Sequence, residues 1–153
     1  MNPPIEDHTM DQDELESEER WCDARRSEVA SYLAREGVAH GEIGQWPAWH
    51  LAPHVSVWAI ESLANPGWVG WWVICGDLPT DYVSAASIKT PRDALLSFAA
   101  RWRSAADHMA RGEPSPGFTI GPRSEWSSLA PMLASRADAL QDMATDTALW
   151  DGY

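Results

Sequence analysis

The sequence has few of the features that nucleic-acid-binding and membrane proteins require. Lysine occurs once, at Lys89, and the formal net charge of the 153 residues is −12. Because such a charge repels polyanions, we expect no nucleic acid and no anionic membrane surface among the partners. No apolar run approaches the roughly 18 residues of a membrane span, and the acidic N-terminal residues lack the apolar stretch of a secretory signal.

Cysteine is also scarce, with only Cys22 and Cys75. Two cysteines do not make a disulfide scaffold, so we interpret both as reduced, buried thiols of a cytoplasmic protein. The sequence has no Cys-x-x-Cys, no His-Glu-x-x-His, no Gly-x-Ser-x-Gly and no phosphate-binding glycine-rich motif. We therefore assign no metal site, no cofactor and no catalytic residue.

Tryptophan, in contrast, is abundant, with ten residues against two phenylalanines and three tyrosines. Six of the ten lie between residues 40 and 90, where charged residues are few, whereas eight acidic residues precede Arg20. The acidity therefore belongs to the N-terminal region, and the apolar core to the middle of the chain. We predict a mobile acidic tail over residues 1–12 and a single domain over residues 13–153.

Three segments have the apolar periodicity of helices. We predict helices over about 13–36, 91–111 and 124–145. Thr90 and Pro91 are typical of a helix start, because Thr caps the first turn and Pro suits the first helical position. Gly37 is typical of a helix end.

A β-hairpin is predicted in the tryptophan-rich middle of the chain. Residues 54–63 and 68–75 have strand character, and Pro66 and Gly67 suit the centre of a type II turn between them. Residues 82–88 are a candidate third strand. Alternation makes both faces of the hairpin apolar, so we expect helices on both sides. The prediction is an α+β fold, in which three helices cover a small antiparallel sheet.

The loops that enter and leave this hairpin, residues 40–54 and 76–82, form the candidate site. They lie at the same end of an antiparallel hairpin, so their side chains can come together. Each residue also has a structural interpretation, since His and Asp stabilise turns and Trp fills cores. We predict that the ligand-binding residues are Trp46, Trp49, His50, His54, Asp77, Asp81 and Tyr82.

Three stretches of this region resemble a known family. They are His40–Pro53, which reads HGxIGxWPAWHxAP, Trp58–Ser62, and Pro66–Tyr82, which reads PGWVGWWVIxGDLPTDY. The chain is similar in these motifs to a proteobacterial family of domains of unknown function, over Trp21 to about Trp150. The resemblance implies a cytoplasmic bacterial protein and transfers no mechanism.

Three functions are compatible with these observations. The first is a non-catalytic binding or regulatory module, whose partner is a small molecule or a protein. The second is a small hydrolase that uses the His and Asp residues of the two loops. The third is an acidic interaction or inhibitor module that masks a basic partner, a role that the charge of −12 would favour. The sequence leaves the oligomeric state open.

Overall fold

The computed structural model of the chain describes residues 11–153. The predicted mobile tail lies outside this range except for Asp11 and Gln12, which cap and begin the first helix. The elements confirm the α+β prediction, and they follow one another as α1 (Gln12–Glu36), β1 (Trp49–Leu51), β2 (Val55–Glu61), β3 (Val69–Gly76), β4 (Leu78–Ser84), α2 (Pro91–Ala110) and α3 (Trp126–Thr145).

The helix ends have the capping groups that the sequence suggests. The Asp11 carboxylate accepts a hydrogen bond from the backbone N–H of Glu14, and Gly37 ends α1 in the left-handed conformation with a φ of 68°. Thr90 caps α2 by accepting from the backbone N–H of Asp93. Within residues 11–153, no helix is long and apolar enough to cross a membrane.

The four strands form one antiparallel sheet in the order β1-β2-β3-β4. The predicted hairpin is confirmed as β2 and β3. Trp58 pairs with Val73 in the register that gives the predicted faces as far as Ile60, where a bulge shifts the register and pairs Glu61 with Val69. β1 lies inside the segment that we predicted as a loop over 40–54. Its three residues are too few to carry a periodic signal of their own.

The third strand starts earlier than the predicted 82–88, because β3 turns directly into β4. Gly76 has a φ of 145°, and an added Cβ would lie 2.4 Å from the carbonyl oxygen of His54. Only glycine fits this tight turn, so pairing resumes at once between Gly76 and Leu78. The predicted 76–82 loop is therefore mostly strand.

The sheet is covered on both faces, as predicted. α1 packs on the face that carries Trp58 and Val73, where Val29 and Leu33 of the helix complete a small core. α2 and α3 pack against each other and on the opposite face, which carries Val57. This arrangement leaves β1 and β4 as the two edges of the sheet.

The smaller core contains polar groups that satisfy one another. The Ser56 hydroxyl donates to the carbonyl oxygen of Cys75 at 3.0 Å and accepts from the indole N–H of Trp58 at 2.9 Å. Cys75 and Cys22 are both buried and free. Burial raises the pKa of each thiol to about 11, so neither is a reactive thiolate at neutral pH.

Candidate functional site

The structure does not bring the seven predicted residues into one group. His50 and Tyr82 lie on the two opposite edge strands, β1 and β4, which are three strand spacings or about 14 Å apart. Along α1, Glu18 contacts His50 and Tyr32 contacts Tyr82. Those two helix positions are about 21 Å apart at 1.5 Å per residue.

His54 and Asp77 are the pair that the predicted loops do bring together. The backbone N–H of Asp77 donates to the carbonyl oxygen of His54 at 2.8 Å, where the turn after β1 meets the turn after β3. Both residues are exposed, and this contact is made by the backbone. We interpret them as parts of the two turns.

Trp49 is a core residue. It is 1% exposed and stacks on Trp150, with ring centroids 4.5 Å apart. Its indole N–H donates to the carbonyl oxygen of Leu149 at 3.2 Å. Because Trp49 pairs with Val57, its side chain faces the α2 side of the sheet, and His50 faces the α1 side. The structure therefore removes Trp49 from the ligand-binding group.

His50 lines a cleft of about 610 Å³ between the first turns of α1 and the end of β1. Trp46 is not part of its lining but contacts the His50 ring. We call this cleft the α1–β1 cleft. It is lined by acidic residues of α1, by Trp21, and by residues of β1 and the following turn: Asp11, Asp13, Glu14, Ser17, Glu18, Trp21, His50, Leu51, Ala52 and Pro53.

Contacts between the elements hold the two walls of the α1–β1 cleft in place. The Arg26 guanidinium donates to the carbonyl oxygens of Ile43 and Gly44, both at 3.0 Å, and so ties the segment before Trp46 to α1. Nε2 of His50 is hydrogen-bonded to Oε1 of Glu18 at 2.5 Å, which joins β1 to the helix.

The His50 ring is enclosed between two indoles. It stacks on Trp21 at 6.5 Å between centroids, and Trp46 meets it edge-on at 5.3 Å. The His50 side chain is 10% exposed. Its Nδ1 is buried and has no hydrogen-bond partner among residues 11–153. The cleft thus contains a positioned imidazole whose hydrogen-bonding capacity is only half used.

The electrostatic character of the α1–β1 cleft is negative. Four carboxylates line it, and none of its described lining residues is Lys or Arg. The N-terminus of α1 adds a partial positive charge of about +0.5, which the four carboxylates outweigh. Nearby, the Arg25 guanidinium lies over the Trp21 ring at 5.6 Å from its centroid. The arrangement can therefore bind a cation through its carboxylates.

The acidic residues and the tryptophan that α1 contributes to the cleft were not among the site residues predicted from the sequence. Glu18 lies 32 positions from His50, and no local motif connects them. The concentration of acids before Arg20 was visible in the sequence. The position of these acidic residues beside β1 could not be predicted from the sequence. Of the described residues, no group of three or more His, Cys, Asp or Glu is arranged to hold a metal ion.

Asp81 and Tyr82 line a second, smaller pocket of about 300 Å³ beside β4. Asp81 is 1% exposed and accepts from the Arg101 guanidinium at 2.8 Å and from the indole N–H of Trp102 at 3.0 Å. Burial raises the pKa of Asp81, although the hydrogen bonds from Arg101 and Trp102 oppose that shift. Asp81 is thus a buried carboxylate that pairs with the partly exposed guanidinium of Arg101.

Comparison with known families confirms that the chain resembles a family of domains of unknown function. A family model described as "Domain of unknown function (DUF4826)" matches residues 15–150. This range includes most of α1, the whole sheet, α2 and α3. No curated protein and no solved structure matches the chain.

Proposed function

Because the chain belongs to the DUF4826 family, whose function is unknown, we propose its function from the geometry of the site. We propose a non-catalytic binding module that holds a cationic group in the α1–β1 cleft. The observation that carries this proposal is that four carboxylates line a cleft whose described lining residues include no Lys or Arg.

The chemistry of the lining suits a guanidinium or an ammonium group. Carboxylates form charge-assisted hydrogen bonds with both, and an indole face attracts a cation by its quadrupole. Arg25 already lies over the Trp21 ring and His50 stacks on it, so the carboxylates supply the main attraction for the ligand. His50 contributes by positioning, since its ring separates Trp21 from Trp46 and anchors Glu18.

The proposed ligand is a small organic cation or a basic side chain of a partner protein. A net charge of −12 would accelerate association with a basic partner and would disfavour nucleic acids and anionic membranes. We propose a cytoplasmic setting, which the two free cysteines support.

A small hydrolase is the second candidate, favoured by the hydrogen bond between His50 and Glu18 in an open cleft that also contains Ser17. Such a pair can activate a nucleophile when the second ring nitrogen reaches it. In this chain Nδ1 is buried, which favours binding over catalysis. Turnover of p-nitrophenyl acetate that is lost in both Glu18→Gln and His50→Gln would instead support the hydrolase.

Binding of a single cationic group is expected to depend on the acids that line the cleft. We predict that N-acetyl-arginine methylamide binds about tenfold more weakly to the Asp13→Asn/Glu14→Gln variant, because two nearby charges are removed. Isothermal titration calorimetry at low and at physiological salt measures the change. Both substitutions are at exposed positions and keep the shape of the side chains.

The matched control is Glu16→Gln/Glu19→Gln, which removes the same charge from exposed positions of α1 outside the cleft lining. We expect its affinity to stay within about twofold of the wild-type value. Equal losses of affinity in the two double variants would mean that only the net charge of the protein matters. That result would contradict a site in the cleft.

A further inference from the structure

We propose that the pocket beside β4 is a second binding site, and that its ligand is a small neutral polyhydroxylated molecule of monosaccharide size. The pocket lies between α1, β4 and residues 117–120, and we call it the β4 pocket. At about 300 Å³ it is at the lower end of the range for small-molecule sites. This proposal is independent of cation binding in the α1–β1 cleft.

The charges of the β4 pocket are already paired, which argues against a charged ligand. Arg101 is the one cationic residue among its described lining residues. Its Nε and Nη2 donate to the Asp81 carboxylate, and Nη2 also donates to the carbonyl oxygen of Gly117 at 2.7 Å. The ion pair is locally neutral, so no positive charge is left for a phosphate or a carboxylate.

The remaining acid, Glu36, is exposed, so solvent screens its charge and it attracts a cation only weakly. The pocket therefore lacks the cluster of carboxylates that distinguishes the α1–β1 cleft. Hydrogen bonding is left as the main source of ligand recognition.

Hydroxyl groups supply that hydrogen bonding. Within residues 11–153, the hydroxyls of Tyr32 and Tyr82 make no hydrogen bond, and neither does that of Thr119. Each hydroxyl both donates and accepts, as the hydroxyls of a polyol do. The guanidinium of Arg101 has its Nη1 free of protein partners in the same range.

Aromatic rings give the pocket a rigid wall. Tyr82 meets Tyr32 at 6.0 Å and Trp71 at 5.7 Å between centroids, both edge-on. These contacts fix the direction of the Tyr82 ring without using its hydroxyl. A rigid aromatic wall with free hydroxyls loses little conformational entropy when a ligand binds.

The test is a titration of the full chain by two-dimensional ¹H–¹⁵N NMR with D-glucose, D-galactose and D-ribose. We expect at least one of these sugars to shift the amide signals of residues 80–82 and 117–120 in a saturable way. Tyr32→Phe/Tyr82→Phe should weaken that binding about tenfold, because two hydrogen bonds are lost. Tyr153→Phe, at a position that is 67% exposed and outside the pocket lining, should leave it unchanged.

Inorganic phosphate and ethanolamine serve as charged comparators, and neither should shift the same signals in a saturable way. The proposal is overturned if none of the three sugars binds with a Kd below about 50 mM. It is also overturned if phosphate or ethanolamine saturates these signals, or if the double Tyr variant binds sugar as well as the Tyr153→Phe control does. The spectrum of each variant reports whether it is folded.

Discussion

Arg101→Ala is expected to lower the free energy of unfolding by about 3–5 kcal/mol at neutral pH, because it leaves the buried carboxylate of Asp81 without its counter-ion. Asp81 is 1% exposed, and Arg101 also holds the carbonyl oxygen of Gly117. Urea unfolding, followed by tryptophan fluorescence, measures the loss.

The matched control for this substitution is Arg103→Ala in the same helix. Arg103 pairs with Asp138, and both side chains are at least half exposed. We expect a loss of less than about 1 kcal/mol there. Equal losses of unfolding free energy at the two positions would mean that Arg101 does not stabilise the buried carboxylate of Asp81.

The loss of unfolding free energy that Arg101→Ala causes is expected to become smaller as the pH falls. Burial raises the pKa of Asp81, and removing Arg101 raises it further, so the folded variant binds a proton more tightly than the unfolded chain. A carboxyl whose pKa is raised in the folded state stabilises the fold fully at low pH. This contribution is lost as the pH rises through the folded-state pKa. Unfolding at about pH 4.5 should therefore show a smaller loss than unfolding at about pH 7. A loss that grows on acidification would contradict this account.

Trp49→Ala is expected to cost about 3–5 kcal/mol of unfolding free energy, because it leaves a cavity in the core beside Trp150. Trp46→Ala should cost less than about 1 kcal/mol, since Trp46 is 46% exposed. The same denaturant titration measures both. The two tryptophans are three residues apart, so the comparison separates a core residue from a residue that supports His50.

Binding measurements on the same two variants complete the comparison. Trp46→Ala should weaken binding of N-acetyl-arginine methylamide, because Trp46 holds the His50 ring in place at the cleft wall. A Trp46→Ala protein that is as unstable as Trp49→Ala, with unchanged binding, would place Trp46 in the core and outside the site.

Local signals predicted the helices and the hairpin well. Thr90 and Gly37 act through contacts within one turn of the chain, so their types alone indicate where a helix begins or ends. The two faces of the hairpin follow from alternation once the register is even, as the pairing of Trp58 with Val73 confirms.

The edge strands were harder to predict, for physical reasons that differ between them. β1 has three residues, so its pairing with β2 is decided by tertiary contacts. β4 begins directly after the turn at Gly76, which the sequence interpretation placed in a loop. When residues 78–84 are treated as a strand, alternation places Asp81 and Val83 on the face toward α2. It places Tyr82 on the face toward α1.

The candidate site could be predicted only in part. His50 and Trp46 were identified because they stand in an apolar, ordered stretch with unusual residue types. Their partners on α1 could not be identified, because the docking of the helix depends on contacts between residues 17 to 32 positions apart. The acidic residues before Arg20 are visible in the sequence, but no local signal indicates that their helix lies beside β1.

The central claim is that the α1–β1 cleft binds a cationic group, and its most direct test is the location of a bound probe. The measurement is a ¹H–¹⁵N NMR titration of the wild-type chain with N-acetyl-arginine methylamide and with the uncharged analogue N-acetyl-citrulline methylamide. The account predicts saturable shifts for residues 11–21 and 49–53 with the arginine probe and none with the citrulline probe. Saturable shifts confined to another surface, equal shifts with both probes, or no saturable shift at all would contradict it.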